Sequence, residues 1–172
     1  MALSEGSLSK GVWCTRSGVV ESLHRVHAAV VTDTGKVLAH HGDTDWVTVY
    51  RSAAKPFQAL PLVDDGVVAE FGREKPEVAL SAASHNGEDV HLNGVARILE
   101  KVGQPPEALR LGPFPPLLPE AAEALYRSGA QITPVHNNCS GLHAAMLGRV
   151  QIHGWPLERY LHPDHPLQYR WM

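Results

Sequence analysis

The sequence predicts an α+β fold, in which a mixed sheet is covered by helices. Segments rich in β-branched residues lie near the start of the chain, and segments with helical periodicity lie later. The two kinds do not alternate in the regular order of βαβ units, which argues against a doubly wound sheet. With 172 residues, 44% hydrophobic and 19% charged, the chain has the size and composition of one soluble globular domain.

The composition argues against several classes of function. The formal net charge is −3 with scattered charges, so the basic stripe that binds nucleic acid is missing. No apolar run approaches the ~20 residues of a membrane span, and residues 1–13 hold no continuous apolar segment of the secretory kind. We therefore expect a cytoplasmic protein without nucleic-acid or membrane partners. Cys14 and Cys139 are too few for a disulfide framework, and a reducing compartment disfavours a bridge between them.

The first strands are predicted to form a β-hairpin. Residues 24–32 and 36–41 are β-prone, and the turn formers Asp-Thr-Gly at 33–35 separate them. Residues 46–50 are again β-branched and aromatic, which indicates a third strand or an extended segment.

A helix is predicted to begin at Ser52, directly after this segment. Serine is a favoured N-cap residue, and Pro56 is tolerated only in the first turn, where its missing N–H costs little. Proline therefore sets Ser52 at the start of the helix, which we expect to end at Gly66.

The rest of the chain is predicted to be mainly helical, with polar turns. Residues 78–83 are small and apolar and fit either a buried strand or a close-packed helix. The later predictions are a polar turn at 84–88, a helix at 88–102 with Val95, Ile98, Leu99 and Val102 on its apolar face, a proline-rich loop at 105–119, a helix at 119–126, an extended segment at 131–136 and a helix at 142–152.

Ser52 and Lys55 form the first pair suited to catalysis. Residues three apart on a helix share a face, so a neutral Lys55 amine could remove the Ser52 hydroxyl proton and create a nucleophile. The helix N-terminus would lower the pKa of that lysine. The pattern alone is weak, because Ser7-x-x-Lys10 repeats it, and a solvated helix start is the alternative. Serine β-lactamases present such a pair, but their Ser-Asp-Asn and Lys-Thr-Gly motifs do not occur here.

A second group contains residue types that ligate zinc. His136, Cys139 and His143 lie within eight positions, and a zinc site needs three or four protein ligands. The alternative is a polar turn in which Ser140 or Asn138 caps the next helix and Cys139 is a small buried residue.

The third candidate is the turn from Ser84 to Glu88. Gly87 permits a positive φ, so that backbone N–H groups and polar side chains can converge as they do in oxyanion holes and carboxylate pockets. The alternative is an ordinary helix start with Ser84 or Asn86 as N-cap.

Together these segments resemble the bacterial type II L-asparaginases, which are distinct from the threonine-dependent asparaginases. The resemblance lies in Arg51-Ser52-Ala53-Ala54-Lys55-Pro56-Phe57-Gln58-Ala59, in Ala83-Ser84-His85-Asn86-Gly87-Glu88 with His91, in Asn138-Cys139-Ser140-Gly141-Leu142-His143-Ala144, and in the weaker tail His162-Pro163-x-His165-Pro166-x-Gln168. The blocks keep the family's order over almost the whole chain, which is more specific than any block alone.

The resemblance implies a fold related to the serine β-lactamases and glutaminases, hydrolysis of L-asparagine to L-aspartate and ammonia, and a homodimer. It implies Ser52 as nucleophile and Lys55 as its base, with Ser84 as a second active-site serine paired with a lysine from later in the chain. It implies Cys139 as a zinc ligand near the substrate pocket, although the serine chemistry itself requires no cofactor. The substrate-binding residues implied by the matched blocks are Arg51, His85, Asn86, Gly87, Glu88, Asn138, Ser140 and His143.

Two departures from the family pattern affect these expectations. Family members are longer, so residues 1–172 match the amino-terminal half of a single domain, and the later half should supply the second lysine, another cysteine and an aspartate. Leu142 stands where the family has lysine, and leucine neither ligates zinc nor offers a charge. Three hypotheses follow: an asparaginase acting through Ser52, a truncated and catalytically incomplete remnant with an exposed apolar surface, and a β-lactamase-like acyl-enzyme, which the missing motifs disfavour.

Overall fold

The structure is a computed structural model that describes residues 11–169, so the Ser7-x-x-Lys10 motif lies outside the described residues. The described chain divides into two compact units, residues 11–49 and residues 50–169. The first unit contains the described strands and the second contains the described helices, which confirms the predicted α+β class. The described strands form two separate antiparallel pairs rather than the mixed sheet that was expected.

The first unit begins with an antiparallel hairpin. Strands β1 (Gly11–Arg16) and β2 (Val19–Arg25) pair across a turn at Ser17 and Gly18, which have φ values of 49° and 75°. Two successive positive φ angles match the right-handed twist of the flanking strands. The sequence did not predict this hairpin, because Ser-Gly is a weaker turn signal than Asn-Gly or Asp-Gly.

The second hairpin of this unit is the predicted one. Strand β3 (Ala28–Val31) pairs antiparallel with β4 (Val37–His41) across the turn that contains Gly35. Residues 46–50, predicted as a third strand or an extended segment, are not part of a strand in the described chain. β-prone side chains make a strand only where a neighbouring strand offers a ladder partner.

The second unit is helical. A 3₁₀ turn (Arg51–Ala54) leads into α1 (Lys55–Asp64), and the later helices are α2 (Val67–Glu70), α3 (Lys75–Ser81), α4 (Asp89–Lys101), α5 (Pro119–Ser128), α6 (Ser140–Ile152) and α7 (Pro166–Tyr169), with further 3₁₀ turns at Pro106–Ala108 and Pro134–His136. Residues 78–81 are thus helical rather than a strand, and the segment predicted as extended at 131–136 ends in a 3₁₀ turn. Within residues 11–169, no helix has both the length and the apolar character needed to cross a membrane.

The start of α1 differs in one respect from the prediction. Pro56 lies in the first turn as predicted, but the α-helical part begins at Lys55 with Ala54 as N-cap. Ser52 lies in the preceding 3₁₀ turn and is not a helix cap. Because residues 51–54 form a 3₁₀ turn ahead of the α-helix, Ser52 lies before the N-cap position.

The caps of the two later helices also differ from the predicted alternatives. Glu88, rather than Ser84 or Asn86, is the N-cap residue of α4, and Cys139, rather than Ser140 or Asn138, is that of α6. Neither cap residue makes a side-chain cap hydrogen bond. The hydroxyls of Ser84 and Ser140 take part in tertiary hydrogen bonds instead.

Helix α6 forms the centre of the core. Every residue from Ser140 to Val150 except His143 is buried, as expected for a helix that is enclosed on all sides. It packs against α1, α2, α3 and α4. A Cβ at Gly141 would lie 2.6 Å from the carbonyl oxygen of Leu80, so glycine allows the start of α6 to approach the end of α3. This approach brings the Cys139 and Ser84 segments into the same region.

Candidate active site

Lys55 is the buried amine around which the candidate site is arranged. It is the first residue of α1 and is only 4% exposed. Its Nζ lies 2.7 Å from the carbonyl oxygen of Ala83 and 2.9 Å from Ser84 Oγ. The lysine that was predicted as the base for Ser52 therefore contacts the second predicted active-site serine.

Ser52 lies on the same cavity but is not bonded to this amine. It is exposed in the 3₁₀ turn, and no hydrogen bond joins its side chain to Lys55 in the described chain. Both residues line a cavity of about 380 Å³, which we call the Lys55 cavity. Its other lining residues are Arg51, Gln58, Cys139, Leu142, His143 and Met146. The cavity thus brings together residues from two of the three motif blocks, and Ser84 joins them through Lys55.

Arg51 has a backbone conformation that arginine rarely adopts. Its φ is 49°, in the left-handed region that a Cβ disfavours. Such a conformation costs on the order of 1–3 kcal/mol and is found preferentially at functional sites. Because Ser52 follows directly, the backbone conformation of Arg51 affects the orientation of Ser52 at the cavity.

His85 is held inside the protein by both of its ring nitrogens. It is 3% exposed, and its Nδ1 accepts a hydrogen bond from the Gly87 N–H at 3.2 Å. Its Nε2 lies 2.8 Å from Ser140 Oγ, and the Ser140 hydroxyl donates to the carbonyl oxygen of Val135. An accepting Nδ1 requires the ring proton on Nε2, which therefore donates to Ser140.

His85 is neutral, and its backbone links the Ser84 loop to the segment before α6. Burial, followed by the charges of His91 and Lys55, lowers the pKa of His85 to about 4. The His85 backbone N–H donates to the carbonyl oxygen of Asn138 at 3.0 Å. His85 and Ser140, which the resemblance implied as substrate-binding, thus join the Ser84 loop to the start of α6 and hold Ser84 beside Lys55.

Asn86, Gly87 and Glu88, which were also predicted to bind substrate, do not line this cavity. Gly87 and Glu88 line a different cavity, of about 500 Å³. Gly87 has a φ of 81°, and a Cβ there would lie 2.7 Å from the Pro116 Cβ, so glycine is required at this turn. Asn86 is exposed, with its Nδ2 3.5 Å from Glu88 Oε2. These three residues are therefore not part of the lining of the Lys55 cavity.

His143 lines the Lys55 cavity and is held from behind by Tyr160. Its Nδ1 lies 3.0 Å from the Tyr160 hydroxyl oxygen, which also accepts a hydrogen bond from the Arg110 backbone N–H at 3.0 Å. Burial, followed by the charge of Lys55, lowers the pKa of His143 to about 4, and burial raises the pKa of Tyr160. Both groups are therefore neutral near pH 7. The sequence did not predict Tyr160, because an aromatic residue in a proline-broken tail matches no motif.

Cys139 was predicted as a zinc ligand. It is half-buried and lines the Lys55 cavity with His143, whereas His136 lines the cavity that contains Gly87. Among residues 11–169, no group of three or more His, Cys, Asp or Glu side chains is arranged to hold a metal ion. Cys139 and His143 are two donors, and zinc sites use three or four. The described residues alone therefore do not make a zinc site, and we assign no step to a metal.

The fold and the cavity define an α+β protein with a serine–lysine pair of a kind used in nucleophilic chemistry. A family model described as L-asparaginase II matches residues 12–172 of the sequence, which is almost its whole length. The chain therefore belongs to the L-asparaginase II family. No curated protein matches the sequence.

Proposed function

We propose that the protein is an amidohydrolase that converts L-asparagine and water to L-aspartate and ammonia through a serine nucleophile. Membership of the L-asparaginase II family supports this class of reaction. The observation that carries the proposal is the position of the buried Lys55 amine. Lys55 lines the same cavity as Ser52, and its Nζ lies 2.9 Å from Ser84 Oγ. With a volume of about 380 Å³, this cavity has room for a small amino acid.

Lys55 is the general base in this proposal. Its hydrogen bond to the carbonyl oxygen of Ala83 orients the amine, which must be neutral when it takes a serine proton. The serine oxygen then bonds to the side-chain amide carbon of the substrate. As the C–N bond breaks, the proton held by Lys55 passes to the leaving nitrogen, which departs as ammonia. Water next attacks the β-aspartyl ester, so that L-aspartate leaves and the serine hydroxyl is restored.

Two serines are candidates for the attacking group. Ser52 is our proposed nucleophile, because it is among the residues that line the Lys55 cavity, whereas Ser84 is not, and because it precedes the base by three residues. Ser84 is the serine that Lys55 contacts. That contact supports Ser84 as the carrier of the proton from Lys55 to the leaving nitrogen, and it also makes Ser84 the alternative candidate for the nucleophile.

Ammonia release from L-asparagine tests the proposal. We expect activity in the unmodified chain and in the control Ser22→Ala, which removes a hydroxyl from strand β2. We expect Ser52→Ala and Ser84→Ala each to lower kcat/KM by at least about 100-fold, the usual scale for loss of a nucleophile or proton carrier. Full activity in both variants would contradict the serine mechanism.

Trapping the intermediate distinguishes the two serines. The reaction is quenched with acid during turnover, and the β-aspartyl ester is located by peptide mass spectrometry. An ester on Ser52 supports the assignment given above. An ester on Ser84 reverses the roles of the two serines and leaves Lys55 as the base.

A second candidate is a catalytically incomplete member of the family. Phe57, Leu60 and Val63 lie along α1 and are 67%, 55% and 51% exposed, which forms an apolar surface of the kind that packs against another element. A folded chain that releases no ammonia and elutes as large aggregates on gel filtration would favour this candidate. A single species with twice the chain mass would support the homodimer that the resemblance implies.

A further inference from the structure

The environment of the Tyr160 hydroxyl fixes which nitrogen of His143 holds the ring proton. Tyr160 is fully buried. Its oxygen accepts a hydrogen bond from the Arg110 N–H and lies 3.0 Å from His143 Nδ1. A tyrosine hydroxyl has one proton, and a buried one needs an acceptor. In the described chain, the acceptor within reach is Nδ1 of His143.

The hydrogen bonds therefore leave one consistent arrangement. Tyr160 donates to Nδ1 of His143, so Nδ1 is unprotonated and the ring proton is on Nε2. A proton on Nδ1 would instead point at the hydroxyl, whose own proton would then be buried without an acceptor. Within residues 11–169, Nε2 has no hydrogen-bond partner, and its residue lines the Lys55 cavity.

We propose that Tyr160 is a positioning residue that holds His143 as the Nε2–H tautomer, so that the ring donates a hydrogen bond to an oxygen atom of the substrate. This inference rests on the proposed asparagine hydrolysis and adds to it a determinant of orientation. The side-chain amide of asparagine offers an oxygen that accepts and an N–H₂ group that donates. A donor at Nε2 binds the oxygen and repels the N–H₂ group, whereas the other tautomer would do the reverse.

Nitrogen-15 NMR of the imidazole rings tests the tautomer without any need for activity. The His143 signals are assigned by comparison with His143→Gln. We expect a protonated Nε2 and an unprotonated Nδ1 at pH 7, and a change of the Nε2–H signal when L-aspartate is added as a product ligand. In Tyr160→Phe, we expect a mixture of tautomers. A protonated Nδ1 in the unmodified chain, or an Nε2–H signal that saturating L-aspartate leaves unchanged, would overturn the inference.

A double-mutant cycle tests the effect on the reaction. We expect Tyr160→Phe to lower kcat/KM for L-asparagine by about tenfold, the effect of losing one well-placed hydrogen bond in the transition state. Glutamine at 143 offers an N–H donor near the position of Nε2 and does not depend on Tyr160. In the His143→Gln background, Tyr160→Phe should therefore cause little further loss. Tyr126→Phe, at an exposed tyrosine on α5, is the matched control.

The outcomes separate this inference from the proposed function. Equal losses from Tyr160→Phe in both backgrounds would show a role in stability alone and would overturn the positioning role. An unmodified chain that binds L-aspartate through the Nε2–H group but releases no ammonia would uphold the tautomer and reject the proposed hydrolysis.

Discussion

The Nζ of Lys55 lies 2.9 Å from the Oγ of Ser84, although 29 positions separate the two residues in the sequence. The first residue of α1 is thereby joined to the loop that follows α3. A second hydrogen bond, to the carbonyl oxygen of Ala83, restricts the rotation of the amine. The geometry of the candidate site therefore depends on how these helices pack.

Replacement of Lys55 by methionine should abolish most of the activity. Methionine fills a similar volume but has no group that takes a proton, so we expect kcat/KM to fall by at least about 100-fold. The measurement is ammonia release, with circular dichroism to verify folding. Lys36→Met, at an exposed residue between β3 and β4, is the control and should be as active as the unmodified chain. Retention of more than half the activity in Lys55→Met would exclude the lysine as the base.

Alanine at Gly141 should destabilise the helical unit. The new Cβ would lie 2.6 Å from the carbonyl oxygen of Leu80, so α6 and α3 must separate. We expect the free energy of unfolding in urea to fall by about 1–3 kcal/mol. Gly112→Ala is the matched control, because its Cβ would meet no atom within 4 Å and its φ is not positive. Equal stability of the two variants would contradict the close approach of the helices.

Asp65 should make the fold sensitive to acid. Its Oδ2 lies 2.6 Å from Arg149 Nε and 2.7 Å from His153 Nε2. Burial alone would raise the pKa of Asp65, but the hydrogen bonds from His153 and Arg149 hold it below its ordinary value. A carboxylate with a lowered folded pKa stabilises the fold above its unfolded pKa, ~3.9. This contribution is lost as the pH falls through the folded pKa.

Asp65→Asn tests this ion pair. Arg149 is 2% exposed and would lose its carboxylate partner, so we expect the free energy of unfolding at pH 7 to fall by about 2–4 kcal/mol. Below about pH 4, the free energy of unfolding should also depend less on pH in the variant than in the unmodified chain. Glu123→Gln breaks an exposed pair with Arg127 and should cost less than about 1 kcal/mol. A similar cost for both variants would contradict a special role for the buried pair.

His85 should contribute a second pH dependence, in a higher range. Its pKa is lowered from 6.5 to about 4, chiefly by burial, so the unfolded chain binds more protons between these values. Stability should therefore fall as the pH drops from 6.5 towards 4. His143 has the same lowered pKa and acts in the same direction. The free energy of unfolding, measured in urea at several pH values across this range, should change less with pH in His85→Gln than in the unmodified chain. An equal change with pH in both chains would contradict a neutral buried ring.

Local sequence patterns were sufficient to predict features that depend on a proline or on the spacing of apolar residues. Pro56 required the first turn of a helix, and the structure has it there. The apolar spacing of Val95, Ile98 and Leu99 predicted one buried face, and each is at most 2% exposed. These predictions depend only on residues within a few positions of one another.

Contacts between distant segments could not be predicted in the same way. The pairing of Lys55 with Ser84 arises when α1 and the loop after α3 pack together, and the spacing from Ser52 to Lys55 contains no information about it. The contact between His143 and Tyr160 likewise spans 17 positions without a motif. The separation of Gly87 from the Lys55 cavity depends on the direction of a turn, which composition does not reveal.

The burial of α6 has a consequence for how this protein can vary. The helix is enclosed from Ser140 to Val150 apart from His143, while the strands of the first unit are largely exposed. In a library of random variants, tolerated changes should be rare along α6 and frequent in the two hairpins. Destabilised variants are less abundant in cells, so selection for abundance alone would conserve the buried residues of α6. Because His143 lies in the first turn of this helix, such selection would also preserve the position of His143 at the cavity.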